Sequence, residues 1–275
     1  MADQPGAYGD LDRPPLRGAD LQRALLRFPG VWSRLEVVAE TGSTNVDVAQ
    51  RAAAGELSGL VLVAEAQTAG RGRLDRTWAA PPRSGLTFSV LLRPAGVPPA
   101  RWGWFPLLAG VAVAAAVTLL GEVDARVKWP NDVLVGERKL AGLLSERVGE
   151  ALVLGVGLNV SARADEVPAT ATSLLLEGSP LVDRGPLLLA ILRELGTAYD
   201  GFVRAAGDPL ASGLRDTYRR SCATLGQEVR VQLPDERTVV GRAHDVDADG
   251  RLVVRSADGG HVVGAGDVVH LHHPR

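Results

Sequence analysis

Sulfur, net charge and long uncharged runs are all scarce in this chain. A single cysteine, Cys222, stands among 275 residues. One thiol can close no internal disulfide and build no multi-cysteine zinc site, and it is most simply a small buried hydrophobe. Charge is balanced, with 30 basic against 32 acidic residues and a net of −2. A protein that coats nucleic acid carries a strong positive excess or patch instead. The first 17 residues have no apolar run of the kind a signal peptide needs, and Pro14-Pro15 among glycines and acids reads as a loosely attached arm. The one long uncharged run, Trp102 to Gly121, could span a bilayer by length. It is rich in alanine and glycine, carries Pro106 near its start and has no apolar companion, so burial against a sheet explains it as well. These absences leave a soluble, cytoplasmic globular chain, with 46% hydrophobic residues and room for one large domain plus a small one.

Periodicity orders the elements. Residues 18–27 read as a helix, 35–39 as a strand and 46–54 as a helix whose natural N-cap is Ser43 or Thr44. Strands are expected at 59–66, 86–93, 126–129 and 151–160, with a hairpin of 133–135 and 139–146 across Gly136. The alanine-rich helix runs to about Leu120, and further helices are expected at 186–206 and 210–225. After Gly226 short valine-rich strands alternate with Asp-Gly turns, which reads as a compact β-barrel-like unit. The expected division is an arm with a short helix at 1–34, a main domain at 35–225 and a small β domain at 226–275.

The chemistry centres on residues 67–78, Gln-Thr-Ala-Gly-Arg-Gly-Arg-Leu-Asp-Arg-Thr-Trp. Glycines let backbone approach a ligand closely, and arginine forks suit carboxylate and phosphate. A solvated basic turn would look the same in isolation. Other candidates cluster at strand ends: Lys128-Trp129-Pro130-Asn131-Asp132 and Lys139. Singly, each has a plain structural explanation: surface cations, an Asx-type turn after proline, or Gly155 and Gly157 admitting a helix against the sheet. Trp129 reads as core. His270, His272 and His273 read as solvated, because no acidic or thiol partner is spaced for zinc.

Taken together, the motifs resemble the bacterial biotin–protein ligase family. They run in that family's order: Gly-Ser-Thr-Asn at 42–45, Gln67, Gly-Arg-Gly-Arg at 70–73 with Arg76 and Trp78, Lys-Trp-Pro-Asn-Asp at 128–132, Arg-Lys-Leu-Ala-Gly at 138–142 and Gly-Val-Gly-Leu-Asn at 155–159. The resemblance implies an α+β fold, a mixed sheet with flanking helices akin to class II aminoacyl-tRNA synthetases, plus a small SH3-like C-terminal domain. It implies biotin and ATP as substrates, with Mg²⁺ on the nucleotide, and biotinyl-5′-AMP as the intermediate. The acceptor would be a lysine of the biotin carrier domain of an acyl-CoA carboxylase.

By the same resemblance, Ser43, Thr44, Asn45, Gln67, Gly70, Gly72, Gly142 and Gly155 belong to the biotin site. Arg71, Arg73 and Lys128 would hold biotin and phosphate charges. Arg76 and Lys139 fall to the phosphates, Lys139 being the catalytic cation. Trp78, Asn131, Asn159 and Gly157 would surround the nucleotide, and Asp132 would hold or deprotonate the incoming amine, or orient Lys139. The glycines Gly142, Gly155 and Gly157 would leave space for ligand.

Two departures from the family pattern stand out. Asp75 replaces the loop's usual last glycine, which predicts a more restrained loop, and segment 165–172 offers no aromatic to the adenine. Some 35 residues precede the first core strand, too few for the winged helix of the family's repressors, so DNA binding is not expected. A monomer or weak homodimer is expected. Lipoate or octanoate transfer, and a non-enzymatic phosphate- or nucleic-acid-binding module, are the alternatives left open.

Overall fold

The computed structural model describes residues 12–27, 30–74, 76–233 and 235–271. Seven strands form the main sheet: β1 (Arg34–Val38), β2 (Leu60–Ala64), β3 (Gly85–Leu92), β4 (Ala125–Lys128), β5 (Asp132–Val135), β6 (Arg138–Val148) and β7 (Ala151–Asn159). Their order is β1-β2-β3-β7-β6-β5-β4, with β1 and β2 parallel and the remaining neighbours antiparallel. The mixed sheet is therefore as expected. β7 lies in the middle and every one of its residues is buried, which is why it reads as an unbroken apolar run.

Helices α1 (Gly18–Leu25), α2 (Thr44–Ala53), α3 (Trp104–Gly121), α4 (Arg184–Arg204) and α5 (Leu214–Ser221) flank the sheet. α3 and α4 pack together in the large core cluster, while α2 seals a smaller one against Leu91 and Val153 on the opposite face. Pro99–Gly121 is long and apolar enough to cross a membrane by length and composition. Here its helix is core, with Trp104, Phe105, Leu108 and Val113 at most 1% exposed. α5 is shorter than the expected 210–225, because Asp208 accepts from the Leu210 and Ala211 amides and Gly213 sits at φ 73. These contacts hold the preceding residues in turns.

The arm is not loose where it is described. Arg184 and Glu65 form a buried ion pair at 2.5 Å, side chains 5% and 7% exposed. Arg184 also donates to the Pro14 carbonyl at 2.6 Å, and the Leu16 amide donates to Glu65 at 2.5 Å. Buried charges need every lone pair and proton answered, and the arm's backbone supplies part of that set.

A second sheet, wholly antiparallel, comprises β8 (Glu228–Gln232), β9 (Thr238–Val246), β10 (Leu252–Ser256), β11 (Gly259–Val263) and β12 (Asp267–His270) in the order β11-β10-β9-β8-β12. The small C-terminal β unit is as expected, although among the described residues no pairing closes β11 onto β12. Its inward valines join the main core. Two indoles fix it there: Trp104 Nε1 donates to the Ala248 carbonyl at 2.9 Å, and Trp129 Nε1 to the Gly250 carbonyl at 3.1 Å. Trp129, 1% exposed, is core as expected. His270 is half-buried rather than solvated, its Nε2 lying 3.2 Å from Thr224 Oγ1, while His272 and His273 lie outside the described residues.

Candidate active site

The site grows from the sheet face that α2 covers. Cross-strand rows there read Gly142–Gly157–Thr87 and Leu144–Gly155–Ser89. The three glycines in these rows carry no side chain, and a cleft of about 330 Å³ opens over this part of the sheet.

At its floor α2 begins at Thr44, two residues earlier than expected. Ser43 is the N-cap by position but makes no side-chain capping bond. Gln67 serves instead: its Oε1 accepts from the Thr44 amide at 2.8 Å and from Thr44 Oγ1 at 3.0 Å. Ser89 Oγ lies 2.6 Å from Asn45 Oδ1 and 2.7 Å from Thr44 Oγ1. An amide oxygen brings no proton, so the Ser89 hydroxyl donates to Asn45. Asn45 Nδ2 in turn donates to Glu146 at 2.7 Å. Both polar ends of Asn45 are thus held by protein.

The glycines accommodate protein rather than vacant space. A Cβ on Gly155 would stand 2.1 Å from Asn45 Oδ1, and one on Gly157 2.3 Å from the Trp78 ring. Gly142 abuts the Lys139 side-chain end at 3.0 Å and Trp78 at 3.3 Å. Space for a ligand therefore lies above Asn45 and Trp78. Trp78 Nε1 is buried against Gly157 without an acceptor among the described residues.

The arginine loop folds back as a narrow hairpin. Gly72 N donates to the Arg76 carbonyl at 2.6 Å, and Trp78 N to the Gly70 carbonyl at 2.9 Å. A Cβ on Gly70 would stand 2.3 Å from the Trp78 carbonyl, so Gly70 permits this closure and does not line the cleft. Each arginine is pinned at a different place. Arg71 Nη1 reaches Glu146 on β6 at 3.2 Å, Arg73 Nη1 donates to Asn131 Oδ1 at 2.9 Å, and Arg76 pairs with Asp267 on β12. Asn131 Nδ2 donates to the Leu143 carbonyl at 3.0 Å, so both ends of its amide are taken by protein. Asp75 lies outside the described residues.

Across the cleft Lys139 Nζ pairs with Asp132 at 2.7 Å and sits 5.8 Å from the Trp78 ring centre. Lys128 also lines the cleft and has no ion-pair partner among the described residues. Burial pushes its pKa below the ordinary lysine value and Lys139 adds to that, against the opposing pull of Asp132. Burial likewise lowers Arg73, countered by Asp267 and Asp132. Cations Arg71, Arg73, Arg76, Lys128 and Lys139 thus face the carboxylates Glu146, Asp132 and Asp267, an excess suited to an anionic ligand.

Asn159, expected beside the adenine, is instead buried and donates to the Thr172 carbonyl at 2.9 Å, outside the cleft lining. The neighbouring segment pairs with the start of β6, the Lys139 amide donating to the Thr170 carbonyl at 2.9 Å. Three site residues went unread in the sequence. Glu146 was reachable, because Gly142, Leu144 and Glu146 alternate onto one face of a strand. Ser89 follows only from register opposite Gly155. Asp267 follows only from packing of the second sheet against the loop.

Residues 38–161 match the biotin/lipoate A/B protein ligase family, and residues 224–271 match the biotin protein ligase C-terminal domain. The chain is similar to the biotin–[acetyl-CoA-carboxylase] ligase of Mycobacterium tuberculosis, at 46% identity over 94% of this chain and 97% of that protein. It is also similar to the bifunctional ligase/repressor BirA of Escherichia coli, 32% identical over 73% of this chain and 63% of the relative. Among solved structures, the biotin protein ligase from Aquifex aeolicus in complex with biotin and ATP superposes with a TM-score of 0.72 at 28% identity, covering 86% of this chain and 98% of that one.

Proposed function

This chain belongs to the biotin protein ligase family, and on that premise we propose how its cleft joins biotin to ATP and passes the biotinyl group to a protein lysine. In the first step a biotin carboxylate oxygen attacks the α-phosphorus of ATP. The bond to the bridging oxygen breaks, pyrophosphate leaves, and biotinyl-5′-AMP forms. Two anions must approach each other, so the barrier is electrostatic, and fixed cations relieve it. Lys128 is the observation that carries this reading: a half-buried ammonium, unpaired among the described residues, set beside Lys139 and the arginine loop.

Gln67 Nε2 and the Ser43 hydroxyl face the cleft without a bond to protein among the described residues, and they suit the polar ureido ring. Asn45 and Asn131 act as positioning residues, since their amides are already spoken for. The Trp78 ring offers the nucleotide a stacking face. Arg71, Arg73 and Arg76 exchange their protein partners for substrate anions as the loop closes, and closure keeps water from the mixed anhydride. Mg²⁺ would neutralise the triphosphate, and the described residues hold no cluster of three metal-ligating side chains, so phosphate oxygens would be its main ligands.

In the second step an acceptor lysine amine attacks the acyl carbon, AMP departs, and Asp132 takes the proton while Lys139 stabilises the leaving phosphate. The acceptor is the biotin carrier domain of an acyl-CoA carboxylase. Residues 35–225 form the catalytic unit and 226–275 the small β domain.

The test is pyrophosphate release from ATP with biotin, lipoate or octanoate offered separately, for the wild type and Lys139→Ala. Release with biotin that is lost in the variant supports the reading. Release with lipoate alone would replace it by the sister chemistry.

A further inference from the structure

The outer face of the second sheet carries three arginines that the fold does not use. Its inward residues Val229, Val231, Ala243 and Val254 are fully buried, so Arg230, Arg242 and Arg255 point outward by alternation. Neighbouring arginines are each closed on a carboxylate: Arg237 on Asp235 at 2.7 Å, Arg251 on Asp247 at 2.8 Å, Arg215 and Arg219 on Asp245. Arg230, Arg242 and Arg255 have no ion-pair partner among the described residues. Moreover, Arg242 and Arg255 stand directly opposite each other across β9 and β10. Like charges in that position repel; Glu228 stands across from Arg242 on β8 but makes no ion pair with it among the described residues.

The same face bears valines in register with these arginines. Val269, Arg230 and Val240 form one cross-strand row, and Val269 and Val240 are 54% and 48% exposed. Exposed valines alone are ordinary strand residues. Interleaved with these arginines, which form no ion pair among the described residues, they make a patch that fits a folded partner with an acidic surface.

Position decides which partner. Asp267 shares this face with Val269, both line the cleft, and Asp267 pairs with Arg76 of the loop. The patch therefore starts at the mouth of the cleft and runs across β12, β8, β9 and β10, about 15 Å at ordinary strand spacing. Whatever rests on it is held where a lysine can enter the site. We propose that this face docks an acidic surface of the protein that receives the biotinyl group. The proposal rests on the ligase reading above and adds the surface that selects the acceptor. Electrostatic patches of this kind act on encounter and orientation more than on chemistry.

Arg230→Glu, Arg242→Glu, Arg255→Glu and the triple variant would be assayed with saturating biotin and ATP. The acceptor is the apo biotin carrier domain of a bacterial acetyl-CoA carboxylase. Hydroxylamine, which needs no docking, serves as the comparison acceptor. Each single reversal is expected to raise the carrier KM roughly fivefold and the triple about a hundredfold, with kcat and hydroxylamine transfer within twofold of wild type. The wild-type KM should rise with salt, and that dependence should flatten in the triple variant. An unchanged carrier KM in a triple variant that still releases pyrophosphate would overturn the proposal. So would loss of hydroxylamine transfer in the variant, which would place the arginines in the chemistry. Salt-sensitive binding of a random DNA duplex, lost in the triple variant while the carrier KM stays put, would reassign the face to nucleic acid. Biotin-dependent pyrophosphate release by the wild type reports separately on the ligase reading.

Discussion

Gly155→Ala is the sharpest test of how the cleft floor is built. The new Cβ would meet Asn45 Oδ1 at 2.1 Å, more than an ångström inside ordinary contact. Asn45 cannot yield cheaply, because it accepts from Ser89 at 2.6 Å and donates to Glu146 at 2.7 Å. A neutral hydrogen bond contributes ~1 kcal/mol and one to a carboxylate ~1.5–3 kcal/mol, so expelling the amide should cost about 2–4 kcal/mol. For a chain of this size that corresponds to a fall in Tm of roughly 4–8 °C. Biotin affinity should fall with it, since Asn45 stands at the start of α2 beside Ser43 and Thr44. Thermal melts and biotin titrations would be run on a double-mutant cycle with Asn45→Ala. Once Asn45 is truncated the obstacle is gone, and Gly155 has no positive φ to protect. Gly155→Ala should then be neutral or stabilise by ~0.4–1 kcal/mol through the unfolded chain. If the glycine substitution costs as much in the Asn45→Ala background as in wild type, this account of the glycine is wrong.

Other perturbations reach other parts of the molecule. Lys128→Gln should lower kcat/KM for biotin roughly a hundredfold without moving Tm downward, because a half-buried cation is removed along with its desolvation cost. Adenylation should also lose rate, as pH rises, below the ordinary lysine pKa, since burial depresses that of Lys128. Asp267→Asn should free Arg76 and speed tryptic cleavage at the arginine loop about two- to fivefold, the range for an exposed pair; an unchanged rate would show that the second sheet does not hold the loop. Asp245 is desolvated by burial, yet hydrogen bonds from Arg219, the Val246 amide and Arg215 outweigh that and bring its pKa down to about 2. The unfolded chain then binds the extra proton first, so this carboxylate's contribution is complete above about pH 4 and is lost as pH falls toward 2. Asp245→Asn should cost ~2 kcal/mol at neutral pH and flatten that acid limb in denaturation curves.

What could be read from residues alone was whatever depends on local pattern. The all-apolar β7, the alternation of β8 and β9, the glycine–arginine loop and the lysines at strand ends each announce themselves within a few positions, because strand period, turn chemistry and charge are local properties. Motif order along the chain was enough for the family and for most of the residues that line the cleft. Register and packing decided the rest. Only the pairing of β7 with β3 sets Ser89 across from Gly155, and only the fold brings Asn45 and Trp78 over the glycines expected to leave ligand space. Asn131 and Asn159, apt for a nucleotide by type, turn to a loop arginine and a backbone carbonyl because buried amides must be satisfied wherever the chain places them. Asp267 meets Arg76 across 191 positions of sequence, a contact no local pattern encodes. The sequence by itself determined which chemical groups are present and in what order. Tertiary structure determined which of them remain unpaired and so available to a ligand, because hydrogen-bond and charge satisfaction depends on neighbours in space.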